Sequence, residues 1–173
     1  MTAILSNAAI GQYTGTWNGG ALGLVEGPYN LSWTPLATPI RCDYYGDTII
    51  DYILTGADAF VSLIIKEWTT EIMAALFPEC GGELGQVGDD HANDIPAGRL
   101  ATSVAKALVL TPKTGSLAQT ATDGKTLYTA AFALPLPGTA INIPMGTVER
   151  NIPVTFALLP DLAGTQIQHF VAS

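Results

Sequence analysis

The spacing of apolar residues changes partway along residues 46–78, which read GDTIIDYILTGADAFVSLIIKEWTTEIMAALFP. Apolar positions first alternate with a period of two, which indicates β-strands, and later recur every three or four residues, which indicates a helix. The alternation predicts two strands joined by a turn at residues 55–58, with core-facing positions at Thr48, Ile50, Tyr52 and Leu54 and then at Val61, Leu63 and Ile65. The later spacing predicts a short helix that begins near Thr69 or Thr70 and ends at Pro78.

Extended segments also dominate the rest of the chain. Asn18-Gly19 separates two such segments, and Asn-Gly favours the type I′ turn of a β-hairpin. Pro35 and Pro39 predict a restricted connection after the next strand, and Pro153 predicts a strand that is bulged or lies at a sheet edge. The pattern predicts one mainly β domain over residues 1–173, a β-sandwich or barrel of about eight to ten strands with one short flanking α-helix.

Residues 79–103 interrupt this pattern. The stretch ECGGELGQVGDDHANDIPAGRLATS has five glycines, scattered acidic residues and no periodicity, so it predicts a long loop insertion. Loops of this length inside a compact domain are usually functional or disordered. We expect the insertion to be mobile in a free subunit and to become ordered in an assembly.

Composition favours a subunit of an assembly over a nucleic-acid-binding protein. Apolar residues make up 48% of the chain and charged residues 13%, which is typical of a protein whose apolar groups are covered by neighbouring subunits, although monomers also expose apolar surface. The net charge of -8 argues against binding to a phosphate backbone. The start of the chain makes a poor signal peptide and no run is long enough to span a bilayer, so we expect synthesis in a cytosol.

The cysteines and one acidic motif are the first places to look for chemistry. Cys42 and Cys80 are too few for a disulfide framework, and we expect reduced thiols. The motif DDHAND supplies four potential metal ligands, but its order fits neither a calcium loop nor the paired histidines of a zinc protease. We therefore expect no metal and no cofactor, and interpret the motif as a solvated loop.

Catalytic arrangements are equally weak. His169 is the second histidine of the chain, and no G-x-S-x-G motif accompanies it. Asp47 and Asp51 lie four residues apart, on one face of the predicted strand, which favours solvated strand residues over an acid–base pair. We expect a protein that is not an enzyme, with an unrecognised hydrolase that uses His91 or His169 as a remaining hypothesis.

Several segments, in this order, resemble the tail tube (major tail) proteins of long-tailed bacteriophages. The resemblance is carried by GQYTGTWNGGALGLVEGPYNLSW, then by YYGDTIIDYILTGADAFVSLIIKEWTTEIMAALFP, and at the end by KALVLTP, FALPLPG and ERNIPVTFALLPD. It implies a β-sandwich flanked by a helix, rings that are typically hexameric, and neighbouring sheets joined into an inner barrel. Stacked rings would form the tube through which DNA leaves the capsid.

The resemblance also implies partners and a location. The partners would be other copies of the chain and further tail proteins such as the tape measure and tail terminator, with DNA passing without sticking and no membrane. The protein would be assembled in the host cytoplasm and reside in the virion tail. The alternative function is a decoration, distal-tail or host-attachment binding module, which would also be β-rich and non-enzymatic.

Two sets of residues are candidates for tube functions. An acidic wall would let DNA slide, and the predicted strand places Asp47, Ile49 and Asp51 on the face away from the core. The same carboxylates could instead solvate the outer wall, and both interpretations are open. The loop insertion is the candidate contact between rings, with the residues Gly82, Glu83, Asp89, Asp90, His91 and Asp94.

Overall fold

The computed structural model describes residues 12–67, 69, 72, 76, 100, 102, 105–114, 127–136, 151–161 and 169–172. Strands account for 73% of these interpretable residues, which confirms the mainly β prediction. The strands are β1 (Tyr13–Trp17), β2 (Gly20–Ala21), β3 (Val25–Cys42), β4 (Thr48–Ile65), β5 (Lys106–Pro112), β6 (Tyr128–Pro135), β7 (Ile152–Leu159) and β8 (Val171–Ala172). They form one antiparallel sheet in the order β2-β1-β5-β6-β7-β4-β3, and β8 pairs with β6.

The hairpin at the start of this sheet forms as its sequence predicts. Asn18 and Gly19 have φ angles of 53° and 78°, the left-handed values that a type I′ turn requires at both central positions. Thr16 pairs with Ala21 across the turn. The paired part of the second strand is short, because β2 ends at Ala21 and the chain then crosses to β3.

That crossing requires the sheet to curve strongly. β2 and β3 are the two end strands of a seven-strand path, yet only residues 22–24 join them. Seven flat strands would hold the end strands about 29 Å apart at about 4.8 Å per step. The link spans at most about 14 Å. The two ends of the sheet therefore approach each other, and the ring of Tyr29 on β3 packs against Gly15 on β1.

The core lies on the concave face of the curved sheet. The predicted inward positions of β7 are all buried, as are Val61, Leu63 and Ile65 of β4. Trp17 packs its ring 5.6 Å from that of Phe156, three strands away, and its Nε1 donates a hydrogen bond to the Ala133 carbonyl at 3.1 Å. Buried side chains of β1, β4, β5, β6 and β7 form one hydrophobic cluster, as expected of a close-packed core.

The longest element is a hairpin of β3 and β4, and it corrects two predictions. Neither the turn at residues 55–58 nor the connection at Pro35 and Pro39 exists, because each segment continues an 18-residue strand. An edge strand tolerates proline because its outward nitrogens need no partner in the sheet. The reversal lies at a 3-10 turn, Asp43–Tyr45, followed by Gly46 and Asp47 with φ angles of 70° and 60°.

Other predicted features lie at the limits of the described residues. Ile72 and Leu76 are helical and buried, and the Ile72 N–H donates to Thr69 Oγ1 at 3.3 Å, as it would to an N-cap threonine. The rest of the predicted helix lies outside the described residues, as does nearly all of the 79–103 insertion. Pro153 pairs with Ile64 of β4, and the position opposite it on the β6 side lies outside the described residues, so the predicted bulge or edge stays a prediction.

Candidate functional site: the hairpin arm and the seam groove

The distal part of the β3–β4 hairpin extends beyond the rest of the sheet. Among the described residues, β7 pairs with β4 only at residues 60–65, and β3 is the last strand of the sheet. Residues 33–58, here called the arm, are therefore a two-stranded ribbon. Ten residues of β3 within it, from Trp33 to Cys42, give the arm a length of about 30 Å at roughly 3.3 Å per residue.

Register assigns the arm residues to two faces. The inner face continues the core-facing side of the body, and it carries Trp33, Pro35, Ala37, Pro39, Arg41, Ile49, Tyr52, Leu54 and Ala57. The outer face carries Thr34, Leu36, Thr38, Ile40, Asp51, Ile53 and Asp58. Two irregularities, which leave Ile50 and Thr55 without a paired residue, shift the alternation along β4. Apart from Arg41 at its distal end, the inner face is therefore mostly apolar, although no part of the domain core covers it.

The arm exposes an unusual amount of apolar surface. Eight of its large apolar side chains are between 37% and 85% exposed: Trp33, Leu36, Tyr44, Ile49, Ile50, Tyr52, Ile53 and Leu54. At roughly 200 Å² for an aromatic and 100 Å² for a Leu or Ile side chain, the exposed parts amount to about 650 Å². This sum is spread over both faces and the tip of the arm, and it approaches the roughly 800 Å² that one partner buries in a stable interface.

The edges of the arm offer few donors to an added strand. A proline nitrogen in a paired strand faces away from its partner, so Pro35 and Pro39 remove two donors from the free edge of β3. Tyr52 pairs with Pro39, and its N–H therefore also points away from the partner strand. That N–H donates to Asp51 Oδ1 at 2.7 Å, so the carboxylate already occupies it.

Charge on the arm is mostly negative. Its four carboxylates, on Asp43, Asp47, Asp51 and Asp58, outnumber the single guanidinium of Arg41. Arg41 Nη1 lies 3.3 Å from Asp47 Oδ2 and donates a hydrogen bond to the Asp47 carbonyl at 3.0 Å. Both side chains are well exposed, so the pair contributes only about 0.2–1 kcal/mol and mainly shapes the tip.

The predicted lumen residues all lie on the arm, but not on one strand face. Asp47 is in the tip turn, Ile49 is on the inner face, and Asp51 is on the outer face. The prediction that Thr48, Ile50, Tyr52 and Leu54 face the core is wrong, since all four are exposed. The bulge at Ile50 changes the alternation, and the strand at this point has left the body of the sheet.

The other predicted site residues contribute little to the described geometry. Gly82, Glu83, Asp89, Asp90, His91 and Asp94 lie outside the described residues, as does Cys80. Within the part of the chain that the structure describes, no three His, Cys, Asp or Glu side chains are grouped to hold a metal. Cys42 is a half-buried free thiol, and Nδ1 of His169 lies 2.7 Å from the Leu158 carbonyl, which anchors the chain before β8. In that same part of the chain, no helix is long and apolar enough to cross a membrane.

A groove lies at the seam where the two ends of the curved sheet meet. This seam groove has a volume of about 570 Å³ and is lined by Gln12, Tyr13, Thr14, Gly23, Leu24, Val25, Gly27, Pro28, Tyr29 and Lys113. Leu24 is 62% exposed in its wall. Lys113 is the charged residue in the lining of the seam groove. Its Nζ donates a hydrogen bond to Gln12 Oε1 at 3.4 Å.

Two tyrosines give the seam groove its chemical character. Burial raises the pKa of Tyr29 above its ordinary value near 10, and a hydrogen bond with the Gly15 backbone offsets part of that rise. Burial also raises the pKa of Tyr13, and the nearby Tyr128 adds to it. Both phenols are therefore neutral at physiological pH. The groove combines aromatic surface, neutral hydroxyl groups and one positive charge.

The arm and the groove were not predicted, although the sequence contains signals for both strands of the arm. DYYGD at residues 43–47 is a strong turn sequence, and it separates two stretches of similar length. Prolines on one face of one stretch are typical of an edge strand. The seam groove has no comparable local signal, because curvature brings β1 and β3 together.

No protein-family model matches this chain, and a search of curated proteins finds no significant match.

Proposed function

We propose that this chain is a structural virion protein that self-assembles into the tail tube of a long-tailed bacteriophage. The observation that carries the proposal is the arm, with about 650 Å² of apolar surface outside the core. Only 13% of the residues are charged, and assembly would cover apolar groups that the monomer leaves in water. The tail tube assignment rests on the resemblance of the sequence segments and on their order.

The energetics of a two-stranded ribbon support assembly. An isolated hairpin is at best marginally stable in water. The arm has large apolar side chains on both faces, including Tyr52 and Leu54 on one face and Ile53 on the other. Packing against one flat surface would leave the second face exposed. The arm is therefore suited to insertion between neighbouring subunits.

The proposed architecture of the assembled subunit is a β-sandwich or barrel flanked by a helix. The strong curvature of the sheet and the contact of Tyr29 with Gly15 support a barrel-like wall. Buried Ile72 and Leu76 support a helix packed on the sheet. In the tube, rings of six copies would stack, and the protein would meet the tape measure and tail terminator in a tail assembled in the host cytoplasm.

The role proposed for the protein is geometric rather than catalytic. DNA would pass through the tube without sticking, and the acidic arm supports this because carboxylates repel phosphates. Asp47, Ile49 and Asp51 stay candidates for the channel wall on that basis. Their positions on the tip and on both faces mean that at most part of the set can line one surface.

Electron microscopy of the purified protein tests the proposal. Negative-stain images over a range of protein concentrations are expected to contain rings or tubes, with length rising with concentration. Size-exclusion chromatography on the same samples gives the mass of each species. A protein that stays monomeric at the highest concentration reached, also when phage tail components are added, contradicts the proposed function.

A binding module for decoration or host attachment is the second candidate. The seam groove favours it, because a groove of about 570 Å³ with Tyr13, Tyr29 and Lys113 in its lining is of the size that encloses a small ligand. Such a protein would remain a small oligomer and bind its ligand saturably. Chromatography and titration with host surface saccharides separate the two candidates.

A further inference from the structure

We propose that the arm of one copy docks, by its side chains, into the seam groove of the next copy, so that subunits join head to tail. This inference rests on the proposed function and identifies the surfaces that would carry assembly. The arm is one surface, and the groove between β1 and the start of β3 is the other.

The two surfaces lie at opposite ends of one element. Tyr29 lines the groove near the start of β3, and Cys42 ends the same strand at the arm tip. Thirteen residues of extended strand separate them by about 40 Å. A regular strand cannot bend its tip back over that distance, so the arm reaches a groove only on another copy.

The exposed charges on the two surfaces are largely opposite in sign. The distal arm brings Asp43, Asp47 and Asp51 against one cation, Arg41, and the lining of the seam groove brings Lys113, while the nearby Glu67 carboxylate is engaged by the Leu24 N–H at 3.1 Å. Apolar contact would come from Ile49 and Tyr52 on the inner face of the arm against Leu24, which is 62% exposed. The groove volume of about 570 Å³ accepts a few large side chains, so the distal end enters and the remainder lies along the neighbour.

The edges of the arm decide how it docks. Pro35 and Pro39 remove outward donors from β3, and Asp51 occupies the outward N–H of Tyr52. Such features prevent one sheet edge from pairing with another. The arm therefore binds through the side chains on its faces rather than as an added strand.

A contact between two different surfaces has a consequence that self-complementary contacts lack. Each copy offers one arm and one groove, so the contact repeats from copy to copy and gives a ring if the rotation closes, or a filament if it does not. Blocking either surface stops growth. Mixing a copy that lacks a working arm with a copy that lacks a working groove restores one contact.

Complementation between two variants tests the proposal. The arm variant carries Ile49→Ser and Tyr52→Ser, and the groove variant carries Leu24→Ser and Lys113→Glu. All four side chains are exposed and lie outside the core. A matched control carries Val171→Ser and Lys106→Glu, which remove similar apolar surface and the same charge on exposed residues away from both surfaces. Circular dichroism and melting temperature verify that each variant folds.

Sedimentation velocity of these proteins, alone and mixed, gives the readout. We expect wild type and control to assemble, each docking variant to need at least a tenfold higher concentration, and an equimolar mixture of the two docking variants to form complexes of two chains. If wild type assembles but the mixture stays monomeric, or the groove variant alone still assembles, head-to-tail docking is wrong while the proposed function stands. A wild type that never assembles contradicts the proposed function itself.

Discussion

The same substitution at two leucines of β4 should affect different properties, assembly at one position and monomer stability at the other. Leu54 lies on the inner face of the arm and is 77% exposed, whereas Leu63 lies in the core and is 3% exposed. We predict that Leu54→Ala weakens assembly without changing the stability of the monomer. Leu63→Ala should destabilise the monomer, and any loss of assembly should follow from unfolding.

The size of each effect follows from burial. Leu→Ala removes three carbons, and at about 0.8 kcal/mol per buried CH₂ with 77% of Leu54 available to a partner, the loss is about 1.8 kcal/mol per contact. That corresponds to a dissociation constant about 20-fold larger. Leu63→Ala leaves a cavity in a close-packed core, which costs about 2–5 kcal/mol and lowers the melting temperature by at least about 4 °C.

Two measurements on the same samples separate these effects. Sedimentation velocity over a concentration series gives the assembly midpoint, and thermal unfolding monitored by circular dichroism below that midpoint gives monomer stability. We expect Leu54→Ala to raise the assembly midpoint. The stability of the monomer should stay within about 0.5 kcal/mol of wild type, as for an exposed site. A lower melting temperature with an unchanged assembly midpoint would mean that Leu54 packs within the monomer and that the arm is not an interface.

Three further predictions concern the arm edges, the groove and the channel. Pro35→Val with Pro39→Val should restore two backbone N–H donors at the free edge of β3 and give thioflavin-binding aggregates at concentrations where wild type gives none. Aggregation equal to that of wild type would show that these prolines do not protect the edge. Because folding raises the pKa of Tyr29, the contribution of Tyr29 to stability should be constant below pH 10 and be lost as pH rises through the folded-state pKa, and Tyr29→Phe should flatten that fall in alkaline melts. Asp47→Lys with Asp51→Lys separates the two roles given to the arm carboxylates: if they dock beside Lys113 of the next copy, the like charges weaken assembly, whereas if they line the channel, tails assemble and DNA delivery slows, most at low salt.

The sequence predicts the strands of the body because burial there follows a simple period. Ile152, Val154, Phe156 and Leu158 alternate along β7 and are all buried, as the pattern indicates. The Asn18-Gly19 turn is equally local, since its backbone angles depend on those two residues. Both features require no knowledge of distant parts of the chain.

The same period fails on the arm for a physical reason. Alternation indicates a strand but not which side is covered, and Tyr52 and Leu54 alternate as core residues do while remaining exposed. Gly56 looks like a turn residue, although it lies in a strand beside a bulge. The seam groove depends on curvature across the whole sheet, so no stretch of sequence encodes it alone.

Removing the arm tests the central claim most directly. Thr34 pairs with Asp58, so replacing residues 35–57 with Asn-Gly closes the hairpin with a type I′ turn and keeps every body strand. The shortened protein lacks none of the buried core residues, and it should melt within a few degrees of wild type. In sedimentation velocity it should remain monomeric at concentrations where wild type forms rings or tubes. Assembly of the shortened, folded protein at the wild-type midpoint would contradict the claim that the arm builds the assembly.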